Sequence, residues 1–556
     1  MTCRCRWIEK AYVSTPRGIN VMASAQATWP KLASAVLPAS SVRKCALYCV
    51  VALVAALYLF PFMRMLVGAT DEGMYTYAAE EVVHGAIPGR DFVQENPPGA
   101  YYWLAIFFRL FGTSIVTART VLLLTGVATA LLVFYLARRI GSNGVFAAIF
   151  VLITSIPLTP INSPHYDSNL FALVALAVFL IGLDSMAELD FQRCAKIWPF
   201  ATAGLLAGWV TCILQQKGFL FLLAFAITAL LLHRRRALTP VAWMVAGYCL
   251  AGVVVILPYI AWGAFGDLIE ANVKAPLFHY DSLNHVPYGY PLWTIWFPRL
   301  FGNLHANFSA LFTLPTIFAM SLPFLFLVIL PLLVPATALM ARGSLLDKKL
   351  WPYWIAAYAM WLSEFHRQDL SHMRNGCLLL VILFFAACQR LGTRVSRYGS
   401  FALIAGTIAL GMVTITGALD ARERVLTRRG TLFAVRKDPV LAFLLTHTRP
   451  GDYVFVYPYA PVYYFLADLR NPTPVNVIVE QRDTPFIEKV VRDLDAKKPR
   501  YVVSETPLLG DGMRTVFPAF HAPPPEQRVI DCYVTAHYHH AAAAGSFEIL
   551  ERNATQ

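Results

Sequence analysis

Charged residues are scarce in this chain of 556 residues, where only 14% of positions are Asp, Glu, Lys or Arg. Soluble globular proteins carry about 25% charged residues. Here 57% of the residues are hydrophobic instead, and the mean hydropathy is +0.55. The composition excludes an ordinary soluble protein and predicts a polytopic, α-helical membrane protein.

Several other signals are missing. The polar C-terminal region has no Gly-rich phosphate loop of the nucleotide type, which argues against a cofactor domain there. Cys532 is its only cysteine, so no disulfide can form within it. The formal net charge is +13, but the basic residues are dispersed among loops between apolar stretches. That distribution is typical of membrane topology and predicts no nucleic-acid partner.

Eleven apolar stretches are predicted to cross the membrane. They are Cys45–Gly68, Thr117–Ala137, Gly144–Pro160, Asn169–Gly182, Trp198–Leu214, Gly218–Leu232, Val241–Gly263, Leu311–Met340, Trp351–Ser363, Gly376–Cys388 and Phe401–Leu419. Tyr101–Phe111 is also apolar, but it is too short to cross and is predicted to lie flat on the surface.

The basic loop residues set the predicted orientation. Arginine and lysine clusters such as Arg138-Arg139, Arg234–Arg236 and Lys348-Lys349 fall in alternate loops, on the side of the basic N-terminus. Basic loops favour the cytoplasmic side, so the N-terminus is predicted to be cytoplasmic and the C-terminus outside. The chain then divides into a disordered cytoplasmic tail (1–44), a transmembrane domain (45–420) and a small periplasmic α/β domain (421–556).

The first outer loop, 69–116, holds six carboxylates, at Asp71, Glu72, Glu80, Glu81, Asp91 and Glu95. An acidic pair at a membrane boundary is costly to desolvate, which makes Asp71-Glu72 a candidate functional site. We interpret Glu80, Glu81 and Glu95 as solvated loop residues. Two surface helices, one over Tyr75–Val83 and one starting after Asn96–Gly99, are predicted to enclose Asp71 in a partly dry pocket.

Other outer connections carry further candidates. Asp167 opens a predicted span, and Lys217 lies in a short turn. The segment Glu364–His372 contains the remaining candidates, Arg367, Asp369 and His372, together with His366.

Each candidate also has a purely structural interpretation. Asp167 is suited to cap the helix that follows it, and Lys217 to extend its ammonium to the interface. Arg367 and Asp369 match a structural ion pair, and the histidines match ordinary interfacial residues.

Taken together, these residues supply carboxylates and fixed cations at one membrane face. Transfer of a group from a lipid phosphate requires both: a carboxylate accepts the proton of the attacking hydroxyl, and Arg or Lys neutralises the departing phosphate. A single displacement with one base and no covalent intermediate would invert the anomeric carbon, as in inverting glycosidases.

Several motifs resemble those of the GT-C superfamily of membrane glycosyltransferases. They are DEGMYTYAAEEVVHGAIPGRDF followed by PPGAYYWLA, SPHYDSNLF, QQKGFLFLLA, FHRQDLSHM and GDYVFVYPYAPVYYFLADLRNPT. They are most similar to the bacterial branch with the protein O-mannosyltransferases, the aminoarabinose transferases and the Rgt-type galacturonosyltransferases. The resemblance covers about residues 45–480 in scattered motifs.

The resemblance implies a GT-C fold and a role for each matching residue. Asp71 would be the catalytic base, with Glu72 and Asp167 as its acidic partners. Arg367 and Asp369 match a recurring outer Arg-x-Asp pattern that His372 accompanies. The family often has Lys-Gln where this chain has Gln216-Lys217, so the sequence departs from the pattern at Lys217, which would hold the donor phosphate with Arg367.

The resemblance also implies the substrates. The donor would be a polyprenyl-phosphate sugar on the outer face of the inner membrane, and the acceptor a hydroxyl of an envelope glycan, lipid or protein. It leaves open whether a divalent metal takes part, and it identifies no other cofactor.

Two other functions remain open from the sequence. A transporter or flippase of a lipid-linked or charged solute would place ionisable residues near the midplane, often within an inverted repeat. Here the charged clusters lie at span ends and no repeat is evident. A scaffold whose outer domain binds partners would leave the Asp71 and Arg367 clusters without a role.

Overall fold

The computed structural model describes residues 39–67, 70–93, 96–188, 197–278, 285–292, 310–341, 347–478 and 484–554. Residues 1–38 of the predicted tail lie outside the described residues, and so do Glu95 and residues 279–284 and 293–309. Residues 39–44 of that tail belong to the first helix, which begins at Ala39. Residues Tyr48–Gln556 belong to one compact unit.

Each of the eleven predicted spans is a helix. These helices are α1 (Ala39–Met63), α4 (Ile115–Arg139), α5 (Gly144–Thr154), α6 (Pro164–Glu188), α7 (Trp198–Ile213), α8 (Gln215–His233), α9 (Leu238–Ala261), α12 (Ala310–Met340), α13 (Trp351–Ser363), α15 (Leu378–Leu391) and α16 (Arg394–Asp420). The short helices α10 (Phe265–Ile269) and α11 (Ala275–Phe278) follow α9, and α14 (Leu370–Gly376) precedes α15.

Among the described residues, 6 stretches are long and apolar enough to cross a membrane, and one of them, Gln215–Ala261, contains both α8 and α9. The pair α14 and α15, bent by 63°, makes a seventh candidate. Helices α5 and α7 are apolar but shorter. The chain is therefore a multi-pass membrane protein.

Local sequence signals fix several helix ends. The Ser114 side chain accepts a hydrogen bond from the Thr117 amide at the start of α4, and Asn143 does the same for α5. Such caps satisfy amides that have no partner within the helix. Gly392 ends α15 in the left-handed conformation, with φ 60°, which glycine adopts without strain.

The first outer loop forms two helices, α2 (Thr70–Val83) and α3 (Gly99–Phe111). The sequence predicts the first of them only from Tyr75, whereas α2 begins at Thr70 and has Asp71 and Glu72 in its first turn. Carboxylates are favoured there by the helix dipole. Most of α2 is buried around its whole circumference, including Thr76 and Glu80, so it is not a helix with one solvated face.

The C-terminal region contains a hairpin and a four-stranded mixed sheet. Strands β1 (Glu423–Thr427) and β2 (Gly430–Ala434) pair antiparallel. The sheet has the order β3-β4-β6-β5, with β3 (Val454–Tyr457) parallel to β4 (Tyr501–Glu505) and the remaining pairs antiparallel. Strands β5 and β6 are Tyr538–Ala544 and Phe547–Arg552, and the helices are α17 (Pro439–His447), α18 (Val462–Leu466), α19 (Thr484–Lys497) and α20 (Val529–His537).

The C-terminal region and the first outer loop share one hydrophobic core. The Tyr77 and Tyr464 rings lie 5.1 Å apart, and Phe108 stacks on Phe465 at 5.7 Å. The Tyr77 hydroxyl also accepts a 3.0 Å hydrogen bond from the Asn471 amide. Helix α2 is thus covered by protein where the sequence suggested a membrane surface.

Candidate functional site

Asp71 lies in the first turn of α2 and keeps an accessible side chain. Surrounding protein nevertheless restricts its hydration, and this desolvation raises the pKa of its carboxyl, while His372, His165 and Arg367 act in the opposite direction. These three side chains are close enough to Asp71 to act on the charge of its carboxylate. The site therefore combines an accessible carboxylate with two nearby histidines and an arginine.

Asp369 organises the segment opposite Asp71. It is the N-cap of α14, where its carboxylate accepts from the His372 amide at 2.9 Å, and the same oxygen lies 2.8 Å from His372 Nδ1. Its other oxygen accepts from Arg367 Nε at 2.7 Å. Burial alone would raise the pKa of Asp369, but the charges of His372 and Arg367 outweigh it and hold that pKa well below its usual range. Asp369 thereby orients both an imidazole and a guanidinium.

A second carboxylate, Glu364, follows α13 and is almost fully buried. Its oxygens lie 2.6 Å from Lys217 Nζ and 3.0 Å from His165 Nδ1. These two partners outweigh the effect of burial and hold the pKa of Glu364 well below its usual range.

Lys217 is itself fully buried, in the first turn of α8. Its ammonium also donates to Asn169 Oδ1 at 2.6 Å and to Ser168 Oγ at 3.2 Å. It therefore does not extend to the aqueous interface. Its three N–H groups face Glu364, Asn169 and Ser168, and its binding of a donor phosphate stays a prediction.

Three imidazoles cluster beside these carboxylates. The His165 and His372 ring centroids lie 4.8 Å apart, and those of His366 and His372 lie 5.2 Å apart. His366 Nδ1 is within 3.2 Å of the Ser363 carbonyl and of Gln216 Nε2. Burial, reinforced by His372, lowers the pKa of His366 to about 4, so this ring is neutral at physiological pH.

Part of this cluster has the donor set of a metal site. Ligand atoms of His165, Glu364 and His372 all lie within 4.8 Å of one another. Two imidazoles and one carboxylate suit zinc and related divalent ions. Lys217 and Asp369 already contact two of these groups, so an ion would share them with a cation and a carboxylate that are in place.

Two predicted acidic residues face other partners. Glu72 pairs with Arg119 of α4 at 2.7 Å, and both side chains are buried. Burial raises the pKa of Glu72, and Arg119 opposes the shift. Asp167 lies in the first turn of α6 and accepts from Thr125 of α4 at 3.2 Å, so it does not act as that helix's N-cap.

Arg374 was not anticipated from the sequence. This side chain of α14 is 8% exposed, donates to Thr159 Oγ1, and donates to the Tyr166 hydroxyl at 3.1 Å. Within the described part of the chain it has no acidic partner, and its Nε has no hydrogen-bond partner. A buried guanidinium without an anion is costly and marks a place where an anionic ligand would be stabilised. The available sequence signal was an arginine on the predicted outer side, against the usual charge bias.

The structure thus brings Asp71, His165, Arg367, Asp369 and His372 into one cluster, with Lys217 joined to it through Glu364 and His165. Glu72 and Asp167 contact α4 instead.

Comparisons with known proteins give one partial family match and several similarities to solved structures. Residues 95–262 match the model of the dolichyl-phosphate-mannose-protein mannosyltransferase family. This range includes Asp167 and Lys217 and ends before Arg367. No curated protein sequence matches the chain.

Among solved structures, the oligosaccharyltransferase AglB from Archaeoglobus fulgidus, in complex with an inhibitory peptide and a dolichol-phosphate, is similar at a TM-score of 0.52. Sequence identity is 13%, and the alignment covers 92% of this chain and 74% of AglB. ArnT from Cupriavidus metallidurans, bound to undecaprenyl phosphate, aligns over 92% of this chain and 98% of its own, at 13% identity and a TM-score of 0.42. The similarity in fold is supported by AglB, whose TM-score exceeds 0.5, and not by ArnT.

Proposed function

We propose that this chain is a membrane glycosyltransferase of the GT-C type, which transfers a sugar from a polyprenyl-phosphate donor to a hydroxyl of a cell-envelope glycan, lipid or protein; the partial match to a mannosyltransferase family model and the similarity in fold to AglB support this. The observation that carries the proposal is the accessible carboxylate of Asp71 beside the Arg367–Asp369–His372 cluster. That arrangement pairs a proton acceptor with a fixed cation, as transfer from a lipid phosphate requires.

The proposed reaction is a single displacement. The acceptor hydroxyl attacks the anomeric carbon while the Asp71 carboxylate takes its proton. The bond between that carbon and the phosphate oxygen breaks, the phosphate leaves with the electron pair, and the anomeric configuration inverts. Arg367, oriented by Asp369, neutralises the leaving phosphate.

Arg374 supports a lipid-linked donor in particular. Its partner Tyr166 also lines a small, mostly apolar crevice between the membrane helices, whose walls are Leu59, Gly126, Ala130, Val151, Leu152, Ile156 and Leu378 together with the polar residues Thr129, Ser155 and Asn169. An uncompensated guanidinium next to apolar walls suits a phosphate that carries a hydrocarbon chain. We assign Arg374 to the lipid side of the donor phosphate and Arg367 to the side that faces Asp71.

A divalent ion, if the enzyme uses one, would be held by His165, Glu364 and His372. It would add positive charge for the donor phosphate. Lys217 contributes through Glu364, whose charge it balances.

The proposed setting is the inner membrane, with the N-terminus in the cytoplasm and residues 421–556 at the outer face. The contacts between the C-terminal region and the first outer loop support a common side for the two.

The experiment that tests this function compares wild type and Asp71→Asn as purified full-length protein in lipid, with a panel of polyprenyl-phosphate sugars and envelope extract as acceptor. Removal of a positioned base costs about 10²–10⁴-fold in rate. Asp91→Asn is the matched control, because Asp91 lies in the same loop and pairs with Arg90 at the surface. The substituted asparagine retains a side-chain oxygen that can accept from the Ile87 amide, as Asp91 does. Full activity of folded Asp71→Asn would remove Asp71 as the base. Absence of transfer by folded wild type would favour a transporter.

A further inference from the structure

Arg367 is held from the C-terminal region as well as by Asp369. Its Nη2 donates to the Val516 carbonyl at 2.8 Å, and its guanidinium lies over the Phe517 ring, 5.4 Å from the centroid. Neither the neutral carbonyl nor the ring adds a negative charge, so these contacts orient the cation without cancelling it.

Phe517 belongs to a small cluster of buried side chains that also contains Met513 and Phe520. Its ring packs edge-on against Tyr459, with centroids 5.8 Å apart and an interplanar angle of 87°. Tyr459 lies on the connection that leads from β3 to α18. The cluster thus links Arg367 to the start of α18.

That same connection contacts the helix that carries Asp71. A Cβ atom at Gly73 would lie 2.1 Å from the Val462 amide nitrogen and 2.5 Å from the Pro461 carbonyl carbon. The backbones of α2 and α18 are therefore in direct contact two residues after Asp71. A continuous series of contacts runs from Arg367 through Phe517, Tyr459 and the 461–462 backbone to the first turn of α2.

We infer that the C-terminal region is part of the active site, with Phe517 as a positioning residue that fixes Arg367 relative to Asp71. The inference rests on the proposed function, because it assigns Arg367 to the donor phosphate. It gives the C-terminal region a role in donor binding beyond covering the membrane domain.

The test compares Phe517→Leu with Phe520→Leu in full-length protein. Both variants replace a buried phenylalanine of the same cluster by leucine, but only Phe517 is placed over Arg367. A desolvated cation–π contact is worth about 1–2 kcal/mol, so we expect Phe517→Leu to raise the KM for the polyprenyl-phosphate donor about 5- to 30-fold. We expect kcat to change less, and Phe520→Leu to leave the donor KM unchanged. Phe517→Trp keeps an aromatic face and should restore the wild-type KM.

Equal donor KM values in the two leucine variants would overturn the inference and reduce the cluster to a structural role. If Phe517→Leu does not fold, Phe517→Met and Phe520→Met, which also remove the aromatic face, provide the same comparison: a donor KM that changes only at position 517 supports the inference, and one that changes equally or at neither position overturns it. Wild-type transfer that depends on Asp71 but is insensitive to Phe517 would contradict this inference alone. Failure of wild type to transfer from any donor would contradict the proposed function instead.

Discussion

Two buried arginines of this protein are in opposite electrostatic situations. Arg119 is 3% exposed and has the carboxylate of Glu72 at 2.7 Å, whereas Arg374 is 8% exposed and has only hydroxyl partners among the described residues. Removing one member of a buried pair strands the other charge. Removing a buried charge that has no counter-ion relieves a desolvation cost. The same substitution should therefore have opposite effects at the two positions.

We predict that Arg119→Gln lowers the thermal unfolding temperature of the purified protein, because it leaves Glu72 unpaired at a cost of about 3–5 kcal/mol. Arg374→Gln should leave that temperature unchanged or raise it, and it should raise the donor KM at least about tenfold, since a hydrogen bond to a charged group is worth about 1.5–3 kcal/mol. Thermal unfolding and donor kinetics on both variants provide the measurement. A destabilised Arg374→Gln with normal donor KM would make Arg374 a structural residue.

At the scale of elements, the contact between α2 and α18 positions Asp71, the proposed base. Helix α2 packs so closely on α18 that Gly73 has no room for a methyl group. Arg429 adds ion pairs to Glu80 of α2 and, at 2.7 Å, to Asp468 beyond α18. A helix held in this way presents Asp71 in a fixed direction.

We predict that Gly73→Ala separates α2 from α18 and abolishes or strongly reduces transfer, because the atoms in its way are backbone atoms that cannot rotate aside. Gly417→Ala is the control, since Gly417 is a helical glycine with no atom within 4 Å. Alanine there should be neutral or stabilise the helix by about 0.5–1 kcal/mol. Transfer rates and thermal unfolding of the two variants test this. Wild-type transfer by Gly73→Ala would show that the contact is dispensable.

The apolar helices could be predicted from the sequence because composition alone indicates them, although only 6 stretches among the described residues, or 7 with the bent pair, are also long enough to cross a membrane. The burial of α2 could not be predicted, because it depends on side chains such as Tyr464 and Phe465 that are distant in the chain. Strand β5 was also missed: its run Ala541–Ala544 favours helix by intrinsic propensity. Pairing with β6 across the Gly545-Ser546 turn, where Gly545 has φ 69°, overrides that preference.

The candidate site could likewise be predicted only in part. Asp71 could be proposed as a site residue from the sequence because an acidic residue at the end of an apolar stretch is conspicuous. The partners of Glu72, Asp167 and Lys217 could not be predicted, since they come from segments that touch only after the chain folds.

At the scale of the whole molecule, the proposed orientation places the C-terminal region outside the cell. Cys532 is exposed there, whereas the other exposed cysteines among the described residues, Cys45, Cys49 and Cys249, lie in helices α1 and α9. We predict that a membrane-impermeant maleimide labels Cys532 in intact spheroplasts and that Cys532→Ser loses this signal. Labelling that requires permeabilised membranes would reverse the orientation and move the site to the cytoplasmic face.

The hydrogen bond between Tyr77 and Asn471 joins positions 394 residues apart. In the proposed orientation, the first outer loop is therefore already outside the membrane during synthesis while most of the remaining chain is still to be made and inserted. Its helix α2 acquires the neighbours that bury it only when the final region has crossed and folded. A nascent or truncated chain would carry Asp71 without the neighbours that position it, so under the proposed function we expect no sugar transfer until the C-terminal region has folded.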